Sequence, residues 1–364
     1  MKILLTSTSI QARSGTYKVL KNIVPFLREK NEVTILTTQG DVDIECDRLV
    51  QLSTTKIFPQ YYFMSDLSKL LHDGFFNDFD IIHAFDYPIH LTDFLTLKKN
   101  HIRAPLLISP HGSITEFNAF PLNYLKKIHN IFMFRYKNRI SKFIACSFAE
   151  KDHLIESGIN ENQIDVAILG VNSDLKLDFS KRIDKTITYV GRLTKTKNVD
   201  LLIKAFAGMH NSDTNLIIAG PDYGQLSFLK NLVKKLNIKN RVTFTGWITE
   251  KEKMEILSKS SIFVHPSLND IFSLSLAEAS AAGVPVVAFD IEENSEIITD
   301  MVTGKLVKEE NSESLGETLD YILDNPKLIE QFTNNGLIMT PKKYDWRQTA
   351  SMIEEFYSNL MYHN

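Results

Sequence analysis

The stretch at residues 262–289, IFVHPSLNDIFSLSLAEASAAGVPVVAF, sets two acids, Asp270 and Glu278, between two apolar strand-like runs. Residues 262–264 and 284–288 are short β-branched segments bounded by Ser, Pro and Gly, the pattern of buried parallel strands. Residues 266–270 have turn composition, and 274–282 read as a Leu/Ala/Glu-rich helix stopped by Gly283 and Pro285. Asp270 therefore falls on the loop at the carboxyl end of a strand, and Glu278 on the helix behind it. Ligands of open α/β sheets bind at that end. Eight residues of helix rise about 12 Å, too far for two carboxylates to share a proton but suited to the two ends of one elongated ligand. Carboxylates accept hydrogen bonds from vicinal hydroxyls, so one acid on a hexose and one on a ribose matches the spacing. Two surface acids on an ordinary βα unit would give the same spacing.

A second element lies upstream, ITYVGRLTKTKNVDLLIKAFA at residues 187–207. Residues 187–190 read as a strand, Gly191 permits a tight exit, and 198–207 read as an amphipathic helix. Arg192 and Lys197 fall in the strand-to-helix loop, where a diphosphate could meet both cations and the positive end of the helix. Such a cation pair can do the work of a metal ion. With Lys195 beside them, the same residues also read as a solvated basic loop.

Together, GRLTKTKN and NDIFSLSLAEASAAGVPVVAFD resemble the retaining glycosyltransferases of family 4, which have the GT-B fold of two facing Rossmann-like doubly wound α/β domains. The resemblance extends over nearly the whole chain. The first strand with Ser14, Gly15 and Thr16 looks like the family's first strand and glycine loop. DIIHAF at 80–85, SPHGS at 109–113, IACSFAEKDHLIESGI at 144–159 and ILGVN at 168–172 follow in the family's order.

Length and composition agree. A chain of 364 residues makes two ordinary domains. With 43% hydrophobic and 23% charged residues it has the composition of a soluble globular protein, and a net charge of -3 gives no global attraction to nucleic acid. The two cysteines, Cys46 and Cys146, form no metal-ligand cluster and no disulfide framework. The expected location is cytoplasmic, at or near the inner face of the membrane. The amino terminus is too briefly apolar for a signal peptide, and no run is long enough to span a membrane.

Strand-like runs at 1–5, 33–36, 80–83, 106–109 and 143–145 alternate with helical stretches, and a second series follows at 187–190, 215–219, 242–245, 262–264 and 284–288. The weakly periodic stretch 171–185 marks the linker. This predicts an acceptor-side domain over 1–172 and a nucleotide-sugar domain over 173–343. A terminal helix over 344–361 is expected to return to the first domain, as the resemblance implies. No GxGxxG opens either half, which counts against a nicotinamide oxidoreductase.

Between residues 122 and 142, six cations (Lys126, Lys127, Arg135, Lys137, Arg139, Lys142) alternate with aromatic and aliphatic residues, with no acid among them. This reads either as a basic helix on an anionic membrane or as a half-buried helix with a solvated basic face. His111 follows the strand at 106–109, and Trp247, after the strand at 242–245, could stack on a nucleobase or sit under a loop.

The resemblance implies transfer of a sugar from a UDP- or GDP-linked donor to a hydroxyl of a glycan or lipid-linked acceptor, in polysaccharide or glycolipid synthesis. Configuration is retained, and neither a metal nor another cofactor takes part. Arg192 and Lys197 would stabilise the departing diphosphate. Asp270, with the backbone amides of Ile271, Phe272 and Ser273, would hold the sugar, and Glu278 the ribose. Ser14, Gly15, Gly191 and Trp247 would complete the donor site, with His111 near the transferred sugar. The chain departs from the family in three places. Asp-Ile-Phe-Ser at 270–273 replaces Glu-Gly-Phe-Gly, Glu292-Glu293 replaces Gly-Gly, and Ser14-Gly15 replaces a glycine pair. A catalytically silent binding or scaffold subunit of the same fold is the competing reading.

Overall fold

The computed structural model describes residues 1–8, 10, 14–58, 61–114, 122–172, 177 and 185–362. Most of the expected linker at 171–185 lies outside those residues. The chain divides into one unit of Met1–Gly170 with Trp346–Asn364 and a second unit of Val171–Asp345.

The first unit is built on seven parallel strands in the order Arg48–Leu52, Glu32–Thr38, Lys2–Thr6, Ile81–Ala84, Leu106–Ile108, Lys142–Ala145, Ile164–Val166. The register sets Leu5 opposite Ile35 on one side and His83 on the other. The second unit has six parallel strands, ordered Val242–Gly246, Asn215–Ala219, Thr186–Val190, Ile262–His265, Val286–Phe289, Gly304–Val307. Each order reverses beside the unit's own first strand, and the doubly wound α/β class expected from the sequence is the one observed. At such a reversal the flanking loops diverge and leave a crevice at the carboxyl ends of the strands.

The chemistry of the strands explains their place. Ile262, Phe263, Val264 and all of Val286–Phe289 are buried on both faces, as a sheet covered by helices requires. Between these strands the helix Leu274–Ala281 is capped by Ser273, whose hydroxyl accepts from the Leu276 amide. It closes at Gly283, in the left-handed region with φ 76°. The Gly283 amide bonds the Ser280 carbonyl and the Val284 amide bonds that of Ala279.

Three strands, Arg48–Leu52, Ile164–Val166 and Gly304–Val307, were not expected from the sequence, nor was the antiparallel hairpin Thr54–Phe58 with Tyr61–Met64. The basic segment also differs from a single helix. It is helical over Leu122–Met133, turns through a 3-10 segment at Phe134–Arg139 and enters the strand Lys142–Ala145. Lys142 pairs with Asp165, while Lys137 and Arg139 bond the carbonyls of Gly158 and Leu97. These three cations are thus tied to the protein by acceptors distant in sequence.

The terminal helix Trp346–Tyr362 belongs to the first unit. Its Tyr357 hydroxyl lies 2.7 Å from Nδ1 of buried His83, and Thr349 Oγ1 donates to the Ile168 carbonyl at 2.6 Å. Asn31 donates to Glu354 at 2.7 Å. Among the described residues no helix is long and apolar enough to cross a membrane.

Candidate active site

In the second unit, the loops leaving Thr186–Val190 and Ile262–His265 meet where the strand order reverses. They bring Lys197 and Asp270 together, with Nζ donating to Oδ2 at 2.5 Å. His265 lies beneath, its Nε2 at 3.0 Å from the same oxygen, and Oδ1 accepts from the Ile271 amide at 3.1 Å. Burial alone would raise the Asp270 pKa. The Lys197 charge and the His265 hydrogen bond outweigh it and hold the carboxyl well below the ordinary range. Burial lowers His265, and its bond to Asp270 only partly opposes that. A neutral ring donating from Nε2 leaves Nδ1 to accept from Ser273 Oγ at 3.3 Å. Ser267 ties the two loops, with its hydroxyl 2.9 Å from the Asn269 carbonyl and 3.4 Å from that of Thr196.

Asp270 thus sits beside the start of a helix. The backbone amides of Phe272, Ser273, Leu274 and Ser275 donate to no protein acceptor among the described residues. Such a run of free N–H groups is suited to an anion or to hydroxyl oxygens. The side chains of Ile271 and Phe272 turn inward, Phe272 against the Tyr344 ring at 5.5 Å, so these residues offer only backbone.

Glu278 lies one turn into the same helix, nearly fully buried, and its Oε2 accepts from Lys253 Nζ at 2.8 Å. Lys253, on the helix Glu250–Lys259, also donates to Glu250 at 2.6 Å. Burial pushes the Lys253 pKa down, but the charges of Glu278 and Glu250 more than compensate and raise it. The sequence reading missed Lys253. Its helix begins EKEK, a solvated pattern, and its partner lies 25 residues away.

Arg192 is exposed, its guanidinium 5.8 Å from the centre of the Tyr223 ring, with no ion pair among the described residues. It follows Gly191, whose carbonyl lies so near Gly220 that a β-carbon there would come within 1.9 Å of it. Only bare backbone fits this rim. Trp247, next to Gly246 at the end of a neighbouring strand, is exposed, as is Tyr223. Glu292 and Glu293 open the helix Glu292–Ile297, where its dipole favours acids, and Glu293 is buried.

In the first unit, Ser14 caps the helix Gly15–Leu27, its Oγ accepting from the Tyr17 amide at 2.9 Å, and a β-carbon on Gly15 would meet nothing within 4 Å. Asp86, which the sequence reading passed over, gathers the neighbouring loops. It accepts from Ser7 Oγ at 2.5 Å, the Thr8 amide at 2.8 Å and Thr16 Oγ1 at 3.1 Å. His111, after Leu106–Ile108, adopts the left-handed backbone with φ 49° and stacks on Phe85 at 5.9 Å. Its Nε2 is buried without a hydrogen-bond partner among the described residues.

Comparison with known proteins matches Glycosyltransferase Family 4 over residues 13–175 and Glycosyl transferases group 1 over residues 176–338. An uncharacterized glycosyltransferase of Methanocaldococcus jannaschii is 26% identical over 363 residues, covering 92% of this chain and 91% of that protein. The O-antigen chain mannosyltransferase of Salmonella typhimurium is 26% identical over 242 residues, 64% of this chain and 66% of its own. The crystal structure of HepE from Anabaena with UDP and glucose is similar at a TM-score of 0.82. It covers 99% of this chain and 100% of that one at 18% identity, a likeness of fold.

Proposed function

The chain belongs to the group 1 glycosyltransferases, family 4 in its first half, with the GT-B fold, and from that membership we propose that it moves a sugar from a nucleotide diphosphate to a hydroxyl with retention and without a metal. The observation that carries this reading is the meeting of Lys197, Asp270 and four free amides where the sheet order reverses.

The chemistry follows from charge. As the anomeric bond breaks, negative charge gathers on the departing diphosphate, and Lys197, Arg192 and the helix amides are the groups that stabilise it. Lys197 bonds one carboxylate oxygen, which leaves other N–H groups for phosphate. Asp270 stays ionised and already accepts three hydrogen bonds, which leaves it about one lone-pair site for a sugar hydroxyl. Glu278 takes the ribose while keeping its bond to Lys253, and Trp247 takes the base. The acceptor oxygen bonds the anomeric carbon on the face the diphosphate leaves, and the acceptor's proton passes to a leaving phosphate oxygen. Ser14, Gly15 and His111 serve the same reaction from the strand ends of the first unit.

UDP or GDP is the carrier, a choice supported by HepE having been crystallised with UDP. A glycan or lipid-linked acceptor in cell-surface polysaccharide or glycolipid synthesis is supported by the likeness to an O-antigen mannosyltransferase. The test is proton NMR of the product anomer formed from UDP-glucose or GDP-mannose by wild type, Lys197→Ala and Glu278→Ala. A product of retained configuration from wild type, with turnover largely lost in both variants, is expected; an active protein indifferent to both changes sinks the assignment.

The helix Leu122–Met133 is assigned to an anionic bilayer at the inner face of the membrane. Tyr124, Leu125, Ile128, Ile131 and Phe132 are all exposed on one stripe, with Lys127 and Arg135 beside them. Co-sedimentation with phosphatidylglycerol vesicles that Ile131→Glu abolishes is the expected result. Equal pelleting of the two proteins contradicts it.

A further inference from the structure

One buried carboxylate of the first unit has no part in the chemistry above. Glu150 is 1% exposed and forms no ion pair among the described residues. Its carboxylate is held by two backbone amides, Gly112 at 2.5 Å and Cys146 at 2.7 Å. Burying a carboxylate without a counter-charge is costly, so its retention calls for a reason.

Helix capping alone does not supply that reason. Glu150 is the last residue of the Ser-x-x-Glu pattern at 147–150, and Ser147 Oγ accepts from the Glu150 amide at 3.0 Å. The same pattern at Thr249 and Glu252 makes a full capping box with its glutamate exposed to solvent. The Glu150 carboxylate instead reaches out of its helix and across to the loop that carries His111. His111 holds a left-handed backbone that disfavours any residue with a β-carbon, and its Nε2 is buried with no hydrogen-bond partner among the described residues. Gly112, the next residue, is the one Glu150 grips.

Resting on the reading of His111 as a sugar-contacting residue, we infer that Glu150 is a positioning residue. Its carboxylate pins the Gly112 amide, fixes the left-handed turn and thereby sets the place of the His111 ring. The charge of Glu150 also reaches the ring. Burial lowers the His111 pKa, and Glu150 is the group that opposes this. His83, another titratable neighbour among the described residues, has both ring nitrogens engaged, by Tyr357 and Ser109, and the thiol-bearing Cys146 lines the same small cavity as His111.

Imidazole NMR titration of the full chain tests this, with the His111 signal assigned from H111A. In E150Q the His111 midpoint should fall by about one pH unit, the Gly112 amide should exchange faster, and His210 in the second unit should not move. E150D keeps the charge and should restore most of the midpoint, which a merely structural contact would not predict; it also serves if E150Q does not fold. An unshifted His111 in a folded E150Q overturns the role of Glu150. Undiminished donor turnover in H111A overturns the role of His111 itself, a separate failure.

Discussion

Asp270–Lys197 and Glu278–Lys253 join the same kinds of group in the same half of the protein, yet they are built for different tasks. The first joins two loops at the crevice, with side chains 19% and 12% exposed, and adds His265 and a backbone amide. The second joins two helices, with side chains 4% and 8% exposed, and extends to the surface through Glu250. The open pair can exchange a partner for a ligand at modest cost. The closed pair cannot be broken without stranding a charge. On the proposed function, the difference separates a group placed to act on the donor from one whose first duty is to keep its helix in place.

The largest effect expected from that contrast is on stability. Lys253→Ala takes the Lys253 charge away from buried Glu278 and should cost about 3–5 kcal/mol by urea unfolding, while Lys253→Met with Glu278→Leu should recover most of it. Lys197→Ala should do the reverse. Stability should fall by less than in Lys253→Ala, since His265 and the Ile271 amide still hold Asp270, while steady-state donor turnover drops by about 10²–10³. A Lys197→Ala protein as unstable as Lys253→Ala would erase the distinction.

The two pairs should also fail at opposite ends of the pH scale. The folded Asp270 pKa is depressed, so its contribution is complete above the unfolded value near 4 and drains away as pH falls below it. The folded Lys253 pKa is raised, so its contribution is complete below about 10.4 and is lost as pH rises past that. Urea midpoints of wild type against Asp270→Asn and Lys253→Met across the pH range should converge in acid for the first and in alkali for the second. Smallest of all, Asp270→Glu should shift the ratio of turnover between two nucleotide sugars by about tenfold, because the longer carboxylate must leave His265 or crowd the sugar.

The second unit was the more legible in sequence, for physical reasons. Runs such as Ile262–His265 and Val286–Phe289 are buried on both faces and read as unbroken apolar segments. Arg48–Leu52 is an edge strand, mostly exposed, and so shows no such run. Gly304–Val307 opens on a glycine that reads as a break, and Ile164–Val166 has only three residues. In the site, Lys197 and Asp270 were visible because each lies in the loop that leaves a recognisable strand. Lys253, Asp86 and Glu150 were not, since their partners lie 25, 78 and 38 residues away in the chain and only the tertiary fold makes them neighbours.

The central claim is that the Lys197–Asp270 crevice holds a nucleoside diphosphate. Thermal unfolding of wild type and Lys197→Ala with UDP, GDP or ADP tests it most directly, because a ligand bound only to the native state adds about 2.7 kcal/mol at a hundred times its Kd. One of these nucleotides should raise the wild-type Tm by about 5–10 °C and leave that of Lys197→Ala nearly unchanged. Stabilisation by none of them, or equal stabilisation of both proteins, would contradict the account.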